Sequence, residues 1–181
     1  MPSREESEEE RLRRIAILNT RLPKKRTIAQ GLLRNPAGQV LLCELSYKRE
    51  WDLPGGVVDP GESPATCVER EIEEELGLQV VAGRLLAVNW LPPWRGWEDA
   101  MLYLFDLGVH EEGELDPALF LRREIAGAHW RTVEDAGGHV APYTARMLQV
   151  AADAEHTAYL ENSEPLGRSA DAAARGRHPR R

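Results

Sequence analysis

The chain has 181 residues, of which 42% are hydrophobic, with a formal net charge of −7 at pH 7, two cysteines and five tryptophans. That length and apolar content suffice for one domain with a sizeable core and tails. The negative balance argues against non-specific binding to nucleic acid or to membrane surfaces, and no apolar run is long enough to span a bilayer. Behind the acidic N-terminus there is no signal-peptide core. Cys43 and Cys67 lack metal-ligand spacing and read as buried free thiols, so we expect a cytoplasmic protein.

Residues 1–14 are crowded with Glu and Arg and read as a disordered or frayed helical lead-in. Ile15 to Leu22 is more apolar and reads as a short strand or helix packed on the domain. We therefore place a partly disordered lead-in at 1–22, the folded domain at 23–160 and a disordered basic tail at 161–181. Lys24, Lys25 and Arg26 form a basic patch, expected to be a solvated loop rather than a phosphate contact. Thr27 to Leu33 and Gln39 to Leu45 read as strands joined by the turn Asn35-Pro36-Ala37-Gly38. Trp51 is expected to be a core plug beneath the glycine loop that follows.

That loop and the segment after it carry the densest chemistry. Gly55 and Gly56 let the backbone bend and approach an ion or ligand closely, and Asp59-Pro60-Gly61 is a turn. Ser63 stands as an N-cap with Pro64 at the first helical position, and Gly77 is placed to end the helix. Val68, Ile72 and Leu76 recur every four residues as the buried stripe. Beside it Glu71, Glu74 and Glu75 share a sector roughly 100° wide. Like charges so spaced destabilise a helix by about 0.2–0.5 kcal/mol per pair. A solvated acidic face is the ordinary reading, and Glu69 and Glu73 are expected to point outward. For the other three, the glycine loop ahead of them argues for a hard divalent cation such as Mg²⁺, bound together with substrate phosphates.

Beyond the helix, Gln79 to Trp90 reads as a strand bent at Gly83, and Leu91 to Trp97 as a Pro- and Trp-rich loop. Ala100 to Leu107 is a two-sided apolar strand, expected to be central. His110 to Asp116 is an acidic loop, and Leu119 to Ile125 leads towards a strand near Ala128 to Arg131. Pro142 to about Leu160 reads as a second amphipathic helix. Strands flanking one central helix, with another helix at the end, give an α/β fold in which a mixed sheet is packed between helices. Trp90, Trp94 and Trp97 stand beside the loop. Either one of them faces a nucleobase, or Trp90 is core and the others pack the loop or a dimer contact.

The stretch from Gly56 to Leu78 resembles the signature of the Nudix hydrolases, G-x5-E-x7-R-E-U-x-E-E-x-G-U, with U a bulky aliphatic residue. Gly56, Glu62, Arg70, Glu71, Ile72, Glu74, Glu75, Gly77 and Leu78 fill every fixed position. The resemblance implies the same fold, a Nudix-type α/β/α sandwich with a mixed sheet. It also implies a Mg²⁺-dependent pyrophosphohydrolase, with Mn²⁺ as substitute, that cleaves a nucleoside diphosphate linked to another moiety. Position by position, it makes Glu71, Glu74 and Glu75 the catalytic, metal-binding carboxylates, with a Gly55 or Gly56 carbonyl as a further ligand and Glu62 in support.

Arg70 stands with Trp94 and Trp97 on the substrate side, its favoured task being to orient Glu71 and the glycine loop. Glu124, six residues before Trp130, stands where the family often takes a further ligand or general base, with Asp99, Glu111, Glu112 and Glu114 as rivals. Pro92 and Pro93 resemble the mark of ADP-ribose pyrophosphatases. The expected substrate is therefore ADP-ribose or a similar sugar nucleotide, the alternatives being a nucleoside triphosphate or a nucleotide-sensing module without catalysis. The expected partner is a small nucleotide, with no membrane or nucleic acid; a homodimer is compatible with all of this.

Overall fold

Strand β1 (Arg26–Arg34) is the axis of the molecule, because three other strands hydrogen-bond to it. It pairs antiparallel with β2 (Val40–Leu45) across the expected turn, where Asn35 accepts hydrogen bonds from the Ala37 and Gln39 amides. It pairs antiparallel with the short β3 (Gly55–Val57), Gln30 opposite Gly55 and Ala29 opposite Gly56. It pairs parallel with β5 (Ala100–Val109), Arg26 opposite Ala100. The mixed sheet is completed by β4 (Leu85–Leu91), β6 (Ile125–Arg131), β7 (Ala158–Glu161) and β8 (Glu164–Pro165). Its order is β6-β2-β1-β5-β4-β7-β8, with β3 on β1 beside that path. The computed structural model describes residues 7–152 and 154–166; residues 1–6 of the expected lead-in and the tail beyond 166 lie outside the described residues.

Alternation along β1 sends its side chains to two separate cores. Ala29 and Leu33 join Leu41, Cys43, Leu107 and Ile125 under α2 (Pro64–Leu76), which contributes Cys67, Val68, Ile72 and Leu76. Leu32 joins Leu42, Leu102, Leu104 and Leu160 on the other face, under α3 (Val133–Ala136) and α4 (Pro142–Ala151), with Met147 and Leu148 at its centre. Helices on both faces of a mixed sheet make the expected α/β/α sandwich. Each fully buried Val, Leu or Ile contributes about 1.5–3 kcal/mol relative to exposure, so the α2 stripe anchors the helix firmly. No helix among the described residues is long and apolar enough to cross a membrane.

Several expectations are corrected. Residues Glu8–Arg21 form one helix, α1, capped by Ser7 with Glu10 closing a capping box, and none of its residues is buried. Ile15 to Leu22 is thus not packed on the domain. The strand expected from Gln79 begins only at Leu85, because the Ala82 amide is held by Glu69 Oε1 at 2.7 Å rather than by a neighbouring strand. Glu69 is therefore a tether, and Glu73 accepts from Gln79 Nε2 at 3.1 Å. The last helix stops at Ala151, and 158–161 is strand β7, paired parallel to β4. Trp51 is half-buried and packs against the core on the α3 and α4 face of the sheet. Its ring is stacked between His129 and His139, with centroids 4.2 and 4.1 Å away.

Candidate active site

The site starts from two backbone constraints at the mouth of β3. Gly55 has φ 133°, and a Cβ there would lie 2.8 Å from Gln30 Cα and nearer still to the Ala29 carbonyl oxygen. A Cβ on Gly56 would lie 2.8 Å from Glu71 Oε2 and nearer still to the carboxylate carbon. Only two glycines in sequence allow β3 to lie against β1 while the α2 carboxylates close over it. Helix α2 is capped as expected: Ser63 Oγ accepts from the Thr66 amide at 3.1 Å, and Gly77 closes it at φ 68°.

The two carboxylates nearest the loop are shielded from water. Glu75 is 5% exposed, and its Oε2 accepts from the Gly55 amide at 3.0 Å. Burial pushes its carboxyl up to about 8, against the pull of that amide, and the charges of Glu71, Glu124 and Asp52 raise it further. Burial likewise raises Glu71, opposed by Arg70 and reinforced by Glu74 and Glu124. Arg70 is the organising cation: Nε and Nη2 donate to the two oxygens of Glu62 at 2.9 and 3.1 Å, and Nη1 donates to Glu71 at 2.9 Å and Glu74 at 3.3 Å. The Arg70 hydrogen bonds hold Glu62 down at about 2.

The structure thus brings together Gly55, Gly56, Glu62, Arg70, Glu71 and Glu75, with the charge of Glu124 felt at both raised carboxyls. Glu124 is bonded through Oε1 to Arg123 Nε at 3.0 Å. Glu74 lies outermost, its side chain 55% exposed. Asp99 is engaged elsewhere, with Lys25 and with Trp90 Nε1, and Glu111 and Glu114 close a capping box on the 3₁₀ turn Glu112–Glu114. Burial pushes the Cys67 thiol up to about 12 and raises Cys43 as well, so neither is poised as a nucleophile.

The buried Glu75 and the half-buried Glu71, both raised and the charge of Glu71 acting on Glu75, stand beside a backbone cradle as a donor set of hard oxygens, which suits a divalent cation. Among the described residues no three acidic, His or Cys side chains stand as a ready-made cage. A cation entering here competes with Arg70 for Glu71 and with the Gly55 amide for Glu75.

Sequence reasoning missed a polar network beside the site. Asp52 is 8% exposed and accepts from Lys48 Nζ at 2.7 Å and from Gln30 Nε2 at 3.1 Å; Gln30 Nε2 also donates to the Leu53 carbonyl at 3.2 Å. The available signals were the polar Gln30 inside an apolar strand and the Lys48–Asp52 spacing just before the glycine loop. The basic patch was also read too plainly. Lys25 is paired with Asp99, and the Arg26 guanidinium lies 4.7 Å from the Trp97 ring centroid. Trp94 and Trp97 stand exposed at the tip of a hairpin, and Trp90 is half-buried.

A family model of the NUDIX domain matches residues 24–154. An 8-oxo-dGTP diphosphatase of Haemophilus influenzae is 36% identical over 62 residues, 32% of this chain and 46% of that protein. A nucleoside triphosphatase, NudI, of Salmonella typhimurium is 34% identical over 94 residues, 49% of this chain and 62% of that protein. The aligned stretches thus span about half the length of these curated relatives. The crystal structure of a MutT protein from Methanosarcina mazei superposes with a TM-score of 0.57 at 28% identity, over 68% of this chain and 91% of that one. With the complete signature folded into a glycine loop and acidic helix, and the family match running from β1 through α4, the chain belongs to the Nudix family.

Proposed function

We propose that this chain is a divalent-metal-dependent pyrophosphohydrolase, cleaving a nucleoside diphosphate linked to another moiety by attack of water on phosphorus. The observation that carries it is the pairing of Glu71 and Glu75 against Gly55 and Gly56, with both carboxyls raised by burial and Glu75 raised further by the charge of Glu71. Mg²⁺, or Mn²⁺ in its place, held by Glu71, Glu75, the outer Glu74 and a carbonyl of Gly55, would supply charge screening and Lewis acidity towards the pyrophosphate. Arg70 keeps Glu71 turned towards the loop, and Glu62 keeps Arg70 in place. Glu124 lies beside the pair and remains reachable by water, so we assign it the proton of the attacking water, accepted at its carboxylate.

For the substrate we favour ADP-ribose or a similar sugar nucleotide, because Pro92 and Pro93 stiffen the chain just before Trp94. A nucleoside triphosphate is the second reading, favoured by the names of the curated relatives. The intact carboxylate set speaks against a module that senses nucleotides without cleaving them. The test is a nucleotide panel incubated with Mg²⁺, with the products separated by chromatography. AMP and ribose 5-phosphate from ADP-ribose, at the highest specificity constant in the panel, is the expected result; pyrophosphate from a triphosphate as the dominant product selects the second reading. Glu75→Gln should lower the rate about a hundredfold with an unchanged circular dichroism spectrum. Wild-type rates in that variant would remove Glu75 from the chemistry.

A further inference from the structure

The β4–β5 hairpin carries two large aromatic side chains that the fold does not use. Trp94 and Trp97 are 67% and 64% exposed. An indole left in water forfeits the stabilisation that burial of its large apolar surface would bring, so two together on a well-held loop call for a reason. The loop is well held. The Trp94 amide donates to the Trp97 carbonyl at 3.0 Å and the reverse bond is 2.9 Å, an antiparallel pair closed by Arg95 and Gly96 at φ 47° and 88°. Residues paired in this way project their side chains to the same face of the ribbon. Asp99 then ties the hairpin down by accepting from Trp90 Nε1 at 2.9 Å and from Lys25.

The surroundings select the ligand. The indoles border a cleft of about 520 Å³ that also contains Lys24 and Arg95, a volume ordinary for a small-molecule site. Arg26 lies 4.7 Å from the Trp97 centroid and Arg95 lies 5.3 Å from that of Trp94. With Lys25 paired to Asp99 and Glu98 also on the wall, Lys24 and Arg95, with Arg26 behind Trp97, still leave an excess of positive charge, which disfavours a cation and favours a planar group attached to an anion.

The position selects it further. Gly56 lies opposite Ala29 on β1, and Arg26 begins the same strand three residues earlier, about 10 Å away at strand spacing. We propose that Trp94 and Trp97 form a stacking cradle for the nucleobase of a nucleotide whose phosphates extend along the start of β1 towards Gly56 and the α2 carboxylates. This rests on the pyrophosphohydrolase reading for the identity of the far end, but not for the cradle itself.

The test is calorimetric titration of the full chain with ADP, and separately with inorganic pyrophosphate, in chelator so that no turnover intervenes. Wild-type protein should bind ADP more tightly than pyrophosphate. Trp94→Ala or Trp97→Ala should weaken ADP binding about tenfold while leaving pyrophosphate binding unmoved. The corresponding Phe variants, which keep a ring, should retain most of the affinity, so that a loss through misfolding is told apart from loss of stacking. Wild-type ADP affinity in both alanine variants overturns the cradle, as does equal binding of pyrophosphate and ADP by the wild type. If hydrolysis is intact but the cradle fails, only this inference falls. If ADP binds as expected and no nucleotide is cleaved with Mg²⁺, only the catalytic reading falls.

Discussion

Substitution of Gly56 by Ala probes the contact on which the proposed site depends. The added methyl would stand 2.8 Å from Glu71 Oε2 and closer to the carboxylate carbon, whereas ordinary van der Waals contact begins at 3.4 Å. Glu71 must therefore retreat by about 1 Å or β3 must peel from β1. The retreat is resisted because Arg70 Nη1 holds Glu71 Oε1 at 2.9 Å, and Arg70 is itself forked onto Glu62. Overpacking of this kind costs about 1–3 kcal/mol of stability. A displacement of about 1 Å in a reacting constellation costs about a hundredfold in rate.

The assay is kcat/KM on the best nucleotide of the panel, read beside thermal unfolding. Gly113→Ala is the control, since nothing lies within 4 Å of a Cβ there. We expect Gly56→Ala to remain folded at the assay temperature with kcat/KM down about a hundredfold, and Gly113→Ala to match the wild type. Full activity in Gly56→Ala would refute the reasoning, because it would mean that the position of the Glu71 carboxylate does not matter.

Ile72→Ala should cost about 2–5 kcal/mol in urea unfolding, since Ile72 is fully buried in the stripe that seats α2 on the sheet; a loss under 1 kcal/mol would mean that the stripe does not anchor the helix. Glu62 is held at about 2 by its bonds to Arg70, well below its ordinary 4.5, so its stabilising contribution is present above about pH 4.5 and is lost as pH falls towards 2. The melting temperature of the wild type should accordingly fall more steeply than that of Glu62→Gln between pH 5 and pH 2; parallel curves would remove the Glu62–Arg70 bond from the balance.

The α2 region was legible in the sequence because its determinants are local. Ser63, Pro64 and Gly77 set the helix ends through their own backbone chemistry, and Val68, Ile72 and Leu76 set its buried face through a period of 3.6. The acidic sector followed from the same geometry, and so did the family resemblance. What the spacing of residues cannot state is which carboxylates are dry. Glu74 and Glu75 are neighbours in sequence, yet one is half exposed and the other nearly closed off, because Gly55 of a different strand covers only the second.

The C-terminal part was misread for a similar reason. Residues 158–161 are a strand because β4 offers them a free edge, and the buried Asn89 holds the following turn by bonding the Ser163 amide at 2.9 Å and its hydroxyl at 2.8 Å. Trp51 does pack against the core, but the two histidines from distant segments that close on its faces were not legible in the sequence. Lys25, Arg26 and Asp99 looked like loop charges until β1 and β5 paired in parallel and brought them to the base of one hairpin. By itself the sequence determined the elements whose caps and periodicity lie within one segment. Burial, pKa and the meeting of side chains from separate segments were decided by the tertiary structure, because each depends on what a different strand places against the residue.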